Sequence, residues 1–555
     1  MKRCIRFPLM RALVIALAVA PLSTAAAVAQ NAATKPVATI SVASVDKLLG
    51  NVTYLTKAVG AEDQGALATL MVAPMLEGVD KTRPAGALVS TDGENFQPLV
   101  FIPVTDLAGL LSSLKEQIGE PEDEGNGVLR LALPTPVYIK EQTGWAFVAQ
   151  TADAFANVPA NPAAALGNLP NEYDFAARVN VNNIPEMYRA IAVAQLQAGI
   201  QQGLARQPGE DAAQHELRKS LLENNARQIS RMVNEVQDVT VGWKVDASAR
   251  NTFIDFSMTA VAGSEFAAQF AQFQNTTSRF AGFVVPDAAL TLNTASTIAP
   301  ADVEQAATAI NSIRRIAIAE LDKDQDLQDE ATRTVVKDLL NSLMDVLVDT
   351  IRTGKSDLGA TLELNPGSVN FVMGAYVADG TAVEEILKKV VALGEQDANV
   401  PPVRFNASTH GSVRFHTVAI PVPQDEQQAR QILGDHLEVA VGIDRDAVYL
   451  GIGRSAVAKL TESIDRSRAG AAGRVAPLRL NVSLKPIIQF AASVDENPAL
   501  RAAVGQLSQI TGNDQISLVV NPQPNGCSYR IQLDEGALQV FGALTRAEVA
   551  LFDER

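Results

Sequence analysis

Asp322, Asp324 and Asp326 fall at alternate positions, the spacing that opens a calcium-binding EF loop. Such a loop needs glycine at its sixth position for the tight turn and a bidentate glutamate at its twelfth. Leu327 and Arg333 occupy those positions. The three aspartates are the weak metal candidates of the chain, and a solvated turn between two helices is the expected structure. Four histidines are present: His215, His410, His416 and His436. No HExxH occurs, and His410 and His416 flank an expected hairpin with no cysteine or carboxylate cluster beside it. They read as turn and surface histidines rather than zinc ligands.

Nucleophile and cofactor signatures fail in the same way. Gly-x-Ser-x-Gly is absent, as is a P-loop. Gly451-Ile452-Gly453 lacks the third glycine of a dinucleotide fingerprint, so it reads as a strand end before the capping Ser455. With 62 carboxylates, naming one acid–base pair would carry no information. No catalytic residue, cofactor or resident metal is expected.

The first 29 residues carry an address. Lys2, Arg3, Arg6 and Arg11 form a basic region, Ala12 to Ala20 is an uncharged apolar run, and Ala27-Val28-Ala29 presents small residues for signal peptidase, with Gln30 as the new N-terminus. The run is shorter than the ~20 apolar residues a membrane span needs. The expectation is an exported protein, periplasmic or extracellular, with no transmembrane segment after cleavage. Cys4 would leave with the leader. Cys527 would remain alone, which excludes an intramolecular disulfide framework and points to a buried small side chain.

Composition narrows the partners. The net charge is −16, and removing the basic leader makes it more negative. Such a surface repels nucleic acid and anionic lipid. Hydrophobic residues make up 47% of the chain but aromatics only 5%. That supports a large aliphatic core and disfavours a sugar binder that stacks rings on Trp and Tyr.

Those residues must be positioned by a repeating unit of strand, turn, strand, cap and helix. Gly86 to Val104 turns at Thr91-Asp92-Gly93, Leu358 to Val377 turns at Asn365-Pro366-Gly367, and Ile516 to Leu533 precedes a terminal helix. Val137 to Ala149, Leu437 to Ile452 and Val239 to Ala260 read alike. Two long insertions read as helical hairpins, one broken at Gln207-Pro208-Gly209 and one at Asp322 to Asp326. Arg178-Val179-Asn180-Val181 to Pro185 echoes Arg479-Leu480-Asn481-Val482 to Pro486. From this we expect two tandem halves after the signal peptide (1–29), spanning 30–285 and 286–555, with Val181 and Val482 pointing into a core. The fold class expected is α+β: antiparallel hairpins, each followed by helices packed on one sheet face.

These units, and the Arg-x-Asn-Val strands running into proline-led helices, resemble a large set of uncharacterised exported bacterial proteins of the planctomycete-like kind. The resemblance implies no assigned function and transfers no catalytic residue. The function expected is therefore non-enzymatic, either binding or a structural role in the envelope beside an envelope protein. The alternatives are a carrier that holds an apolar ligand between the two halves and a hydrolase with dispersed catalytic residues.

Overall fold

The computed structural model describes residues 35–553 except 211, 324–328, 395–400, 471–472 and 496. Ala27, Ala29 and Gln30 of the expected cleavage site, and Asp324 and Asp326, lie outside the described residues. Among the described residues twenty strands are interleaved with helices, an α+β architecture. The described chain falls into two compact units. The first holds 35–57, 62–191 and 237–245, and the second holds 58–61, 192–236 and 246–553. Among the described residues no helix is long and apolar enough to cross a membrane.

In the first unit the strands are β1 (Lys35–Val42), β2 (Ala85–Thr91), β3 (Phe96–Pro103), β4 (Glu122–Gly125), β5 (Val128–Leu131), β6 (Val137–Gln142), β7 (Trp145–Ala149), β8 (Phe175–Val179) and β9 (Val236–Asp246). They pair antiparallel in the order β4-β5-β6-β7-β3-β2-β1-β8-β9. The second unit holds β10 (Asn251–Ala260), β11 (Leu290–Thr297), β12 (Lys355–Asn365), β13 (Ser368–Tyr376), β14 (Arg404–His410), β15 (Val413–Pro421), β16 (His436–Ile443), β17 (Ala447–Gly453), β18 (Leu478–Ser483), β19 (Gln515–Gln523) and β20 (Gly526–Asp534). Their order is β14-β15-β16-β17-β13-β12-β11-β18-β19-β20-β10, again antiparallel.

Local chemistry explains the connections. The turn glycines Gly93, Gly144 and Gly367 have positive φ, which a side chain would resist. The helix Leu107–Ser113 starts where the Asp106 carboxylate accepts the Gly109 N–H at 3.0 Å. The helix Glu330–Arg352 starts where Asp329 accepts from Thr332. Helices occupy both expected insertions. Pro300–Lys323 and Glu330–Arg352 pack as a hairpin. Glu186–Gly203 and Ala212–Glu235 instead meet chiefly near their connection, where Arg218 donates to Ala205 O at 2.9 Å, and the latter helix packs on Pro300–Lys323.

Two expectations need correction. Helices cover both faces of each sheet instead of one. In the first unit Phe101, Phe147, Phe155 and Leu166 form a core on one face, while Leu107, Leu110, Leu131 and Ile139 form another on the opposite face. In the second, Phe415 packs with Leu460 and Ile464 of the helix Ala456–Gly470. Its neighbour His416 points the other way, toward the helix Gly380–Gly394. Strands such as β16 and β17 are apolar at odd and even positions alike, so both faces need cover. Secondly, Val181 and Val482 do not enter a core. Val181 lies in the 3-10 turn Val181–Asn183 and Val482 in β18, and both are only half-buried. β8 ends at Val179, six residues before Pro185, whereas β18 ends at Ser483, three residues before Pro486. The sequence echo therefore follows the proline and not the strand.

Candidate ligand-binding face

In an antiparallel sheet, laterally paired residues share a face, so one side can be read across many strands. In the second unit, one row runs Ile254, Ile531, Leu518, Leu480, Leu292, Ala360, Met373, Leu450, Val441 and His416. The row beside it runs Thr252, Leu533, Ile516, Val482, Leu290, Leu362, Phe371, Ile452, Val439 and Val418. Across ten strands, only Thr252 and His416 interrupt an apolar pavement. At ~4.8 Å between strands it is roughly 43 Å long.

This pavement is incompletely covered. Ile254 and Ile531 retain 48% and 47% of their surface, and Phe256 and Tyr529, paired beside them, retain 38% and 37%. Most other members are half-buried, whereas the opposite face holds Phe280, Phe283, Phe415 and Leu460 with no exposure. The exposed part is the cluster of Ile254, Phe256, Tyr529 and Ile531, which makes this end of the face the candidate site. Two shallow openings of about 620 and 640 Å³ are open to solvent, one lined by Leu321 and Leu340, the other by Arg404, His436 and Arg454 together with Val418 at the end of the second row.

The far end of the first row is ionic. His416, 1% exposed, accepts the Asn406 backbone N–H on Nδ1 at 3.1 Å. This assigns the proton of the neutral ring to Nε2. Among the described residues Nε2 has no hydrogen-bond partner, and it lies 3.7 Å from Oε1 of the buried Glu384. Glu384 in turn pairs with Arg414 and, at 3.5 Å, with Lys388. Burial opposes its charge, but Arg414 wins and holds its carboxyl below the usual range. For His416 the balance goes the other way. Desolvation outweighs the attraction of Glu384 and pushes the ring below its ordinary 6.5.

That shift fixes a pH dependence. With the folded pKa depressed, protonation favours the unfolded chain, so stability from the neutral ring is present above pH 6.5 and is lost as pH falls through the folded value. Urea midpoints are expected to fall between about pH 7 and pH 5, with part of that fall missing in His416→Gln. An identical fall in both proteins would assign it elsewhere.

The other sequence candidates disperse. His215 accompanies Arg218 on Glu210, whose carboxyl is held at about 2, first by Arg218 and next by the Gln207 N–H. His410 meets Asp465 at 2.7 Å, and His436 lines the exposed groove at Arg404. Asp322 sits at the exposed end of its helix, paired with Lys337. Among the described residues no three metal-ligating side chains cluster. Cys527 is fully buried, as its small apolar character suggested. The burial of His416 contradicts the expected surface histidine. Alternation on β15 sets His416 on the face of Arg414, which reads as solvent-facing; only the packing of the helix that carries Glu384 covers it.

No family model, curated protein or solved structure matches the chain. The functional reading therefore rests on this geometry.

Proposed function

We propose that this is an exported, non-enzymatic binding protein that holds an apolar ligand against the paved face of its second unit. The observation that carries the reading is the pair of apolar rows, left partly open at Ile254, Phe256, Tyr529 and Ile531. Aliphatic side chains at that density favour acyl or isoprenoid chains over sugars or nucleotides, which need hydrogen-bond donors and acceptors in the site. The leader ending at Ala29 supports export, and N-terminal sequencing of the protein from its host is expected to begin at Gln30.

Native mass spectrometry of protein purified from its host is expected to show a retained apolar molecule. The fluorescent probe N-phenyl-1-naphthylamine should bind the wild type and bind at least about tenfold more weakly to Ile254→Asp/Ile531→Asp. A ligand-free protein with no affinity for the probe would overturn the reading. An envelope structural role would then stand in its place.

We further propose that the two sheets descend from one duplicated unit. Adding ten to each strand number of the first order reproduces the second from β14 to β19. Matching bonds support this. Ala43 donates to Asp174 O and Ala295 to Pro477 O, each at 2.9 Å. Asn180 donates to Val37 O at 2.7 Å and Ser483 to Ala289 O at 3.0 Å. In this register Arg178 answers Asn481 and not Arg479. Superposing an experimental structure on itself tests the proposal. Hairpins β2–β3 and β12–β13 should coincide.

A further inference from the structure

The ladder between β10 and β20 has nine residue pairs, from Asn251↔Asp534 to Thr259↔Gly526, and its centre is Asp255↔Arg530. Its two ends are alike. At one, Ala260 N–H donates to Asn525 O at 2.8 Å, and at the other, Glu535 N–H donates to Arg250 O at 2.8 Å. Arg250 and Asn525 both adopt positive φ, 56° and 55°. The seam therefore reads the same from either end, with a local two-fold axis through Asp255 and Arg530. Ile254 and Phe256 flank the one, Tyr529 and Ile531 the other.

A position on a two-fold axis between identical strands meets its own copy. Asp facing Asp, or Arg facing Arg, would repel. Here the central position holds opposite charges. Asp255, 3% exposed, takes two bonds from Arg530, Nε to Oδ1 at 2.8 Å and Nη2 to Oδ2 at 2.7 Å. The guanidinium also lies 3.7 Å over the Phe253 ring. Such a pair functions only when the two sides differ, which a fused, diverged duplication allows. Buried charges of this type are best attested as devices that fix register and partner.

We infer that the β10–β20 seam is a two-fold strand-to-strand interface now closed within one chain, and that a second copy of the chain can supply either side of it. The inference rests on the duplication proposed above. Without β10, β20 would be an open edge that invites such exchange.

The test uses the full chain with Asp255→Arg, with Arg530→Asp, and with both. Each single change places like charges on the axis and should lower Tm by a few degrees, and the reversed pair should regain most of that loss. When the two single variants are refolded together, β10 of each can meet β20 of the other with opposite charges restored. Light scattering after size exclusion should then show a species of twice the chain mass, absent when either variant is refolded alone. The mixing arm does not require either single variant to fold by itself, so it stands even where a single variant shows no melting transition. A mixture that stays at the mass of one chain, or a reversed pair no more stable than the singles, would overturn the inference. Failure of the duplication would instead appear as sheets that do not superpose.

Discussion

Phe280→Ala is expected to destabilise the second unit by about 3–5 kcal/mol, and part of that loss should be recovered by adding Gly374→Phe. Phe280 has no exposed surface and packs against Phe283 and Tyr449, with ring centroids 6.1 and 5.8 Å away. Its anchoring segment is stitched to the sheet. Ser278 accepts from the Phe280 N–H and the Asn293 amide, and donates to Asp357 at 2.6 Å. Phe280 fills space that Gly374 leaves empty, since a Cβ on Gly374 would come 2.5 Å from the Phe280 ring; it would also come 2.9 Å from the Tyr449 ring, which must shift in the double variant and keeps the recovery partial. Gly374→Phe alone should therefore cost more than the ~1–3 kcal/mol of ordinary overpacking. Under the proposed duplication, the first unit fills that space from the strand itself. Phe101 pairs with Phe147 there, as Gly374 pairs with Tyr449. Urea unfolding of the two single variants and the double variant measures the coupling. Strict additivity would show that Phe280 and Gly374 do not share one volume.

Asp174→Leu is expected to cost the first unit a similar amount, about 3–5 kcal/mol. Asp174 is 2% exposed, and its Oδ2 accepts the Asn51 amide and the Val245 N–H, both at 2.8 Å. Its backbone N–H donates to Trp243 O and its carbonyl accepts from the Ala43 N–H, so one residue ties together the ends of β1, β8 and β9. Leucine would leave buried donors without acceptors. The milder change Asp174→Asn keeps an acceptor and should cost no more than about half as much. Lys47 approaches at 3.7 Å but is 53% exposed, so Lys47→Ala should change stability by less than about 1 kcal/mol. Faster hydrogen exchange at the Val245 N–H in Asp174→Leu would place the damage. Equal costs for Asp174→Leu and Lys47→Ala would mean that the ion pair, not the buried acceptor, holds the site.

The elements themselves were legible in the chain. Period-two alternation ending in Thr91-Asp92-Gly93 or Asn365-Pro366-Gly367 marks strands and their turns, because turn chemistry and side-chain alternation are local. The helices interrupted at Gln207-Pro208-Gly209 and around Asp322 could be read for the same reason, although only the second pair packs as a hairpin. So could the α+β class. The lateral order of strands could not, because pairing joins residues far apart in the chain. The assembled sheet alone aligns Ile254 with Ile531, Leu518, Leu480 and Leu292 into one apolar row, although each strand showed its own apolar positions. It also places Glu384 over His416, Phe280 in the gap at Gly374, and Asp255 against Arg530. Those partners are set by which strands and helices come to lie side by side, and that is decided by burying both faces of a sheet at once, a condition no local stretch of residues contains.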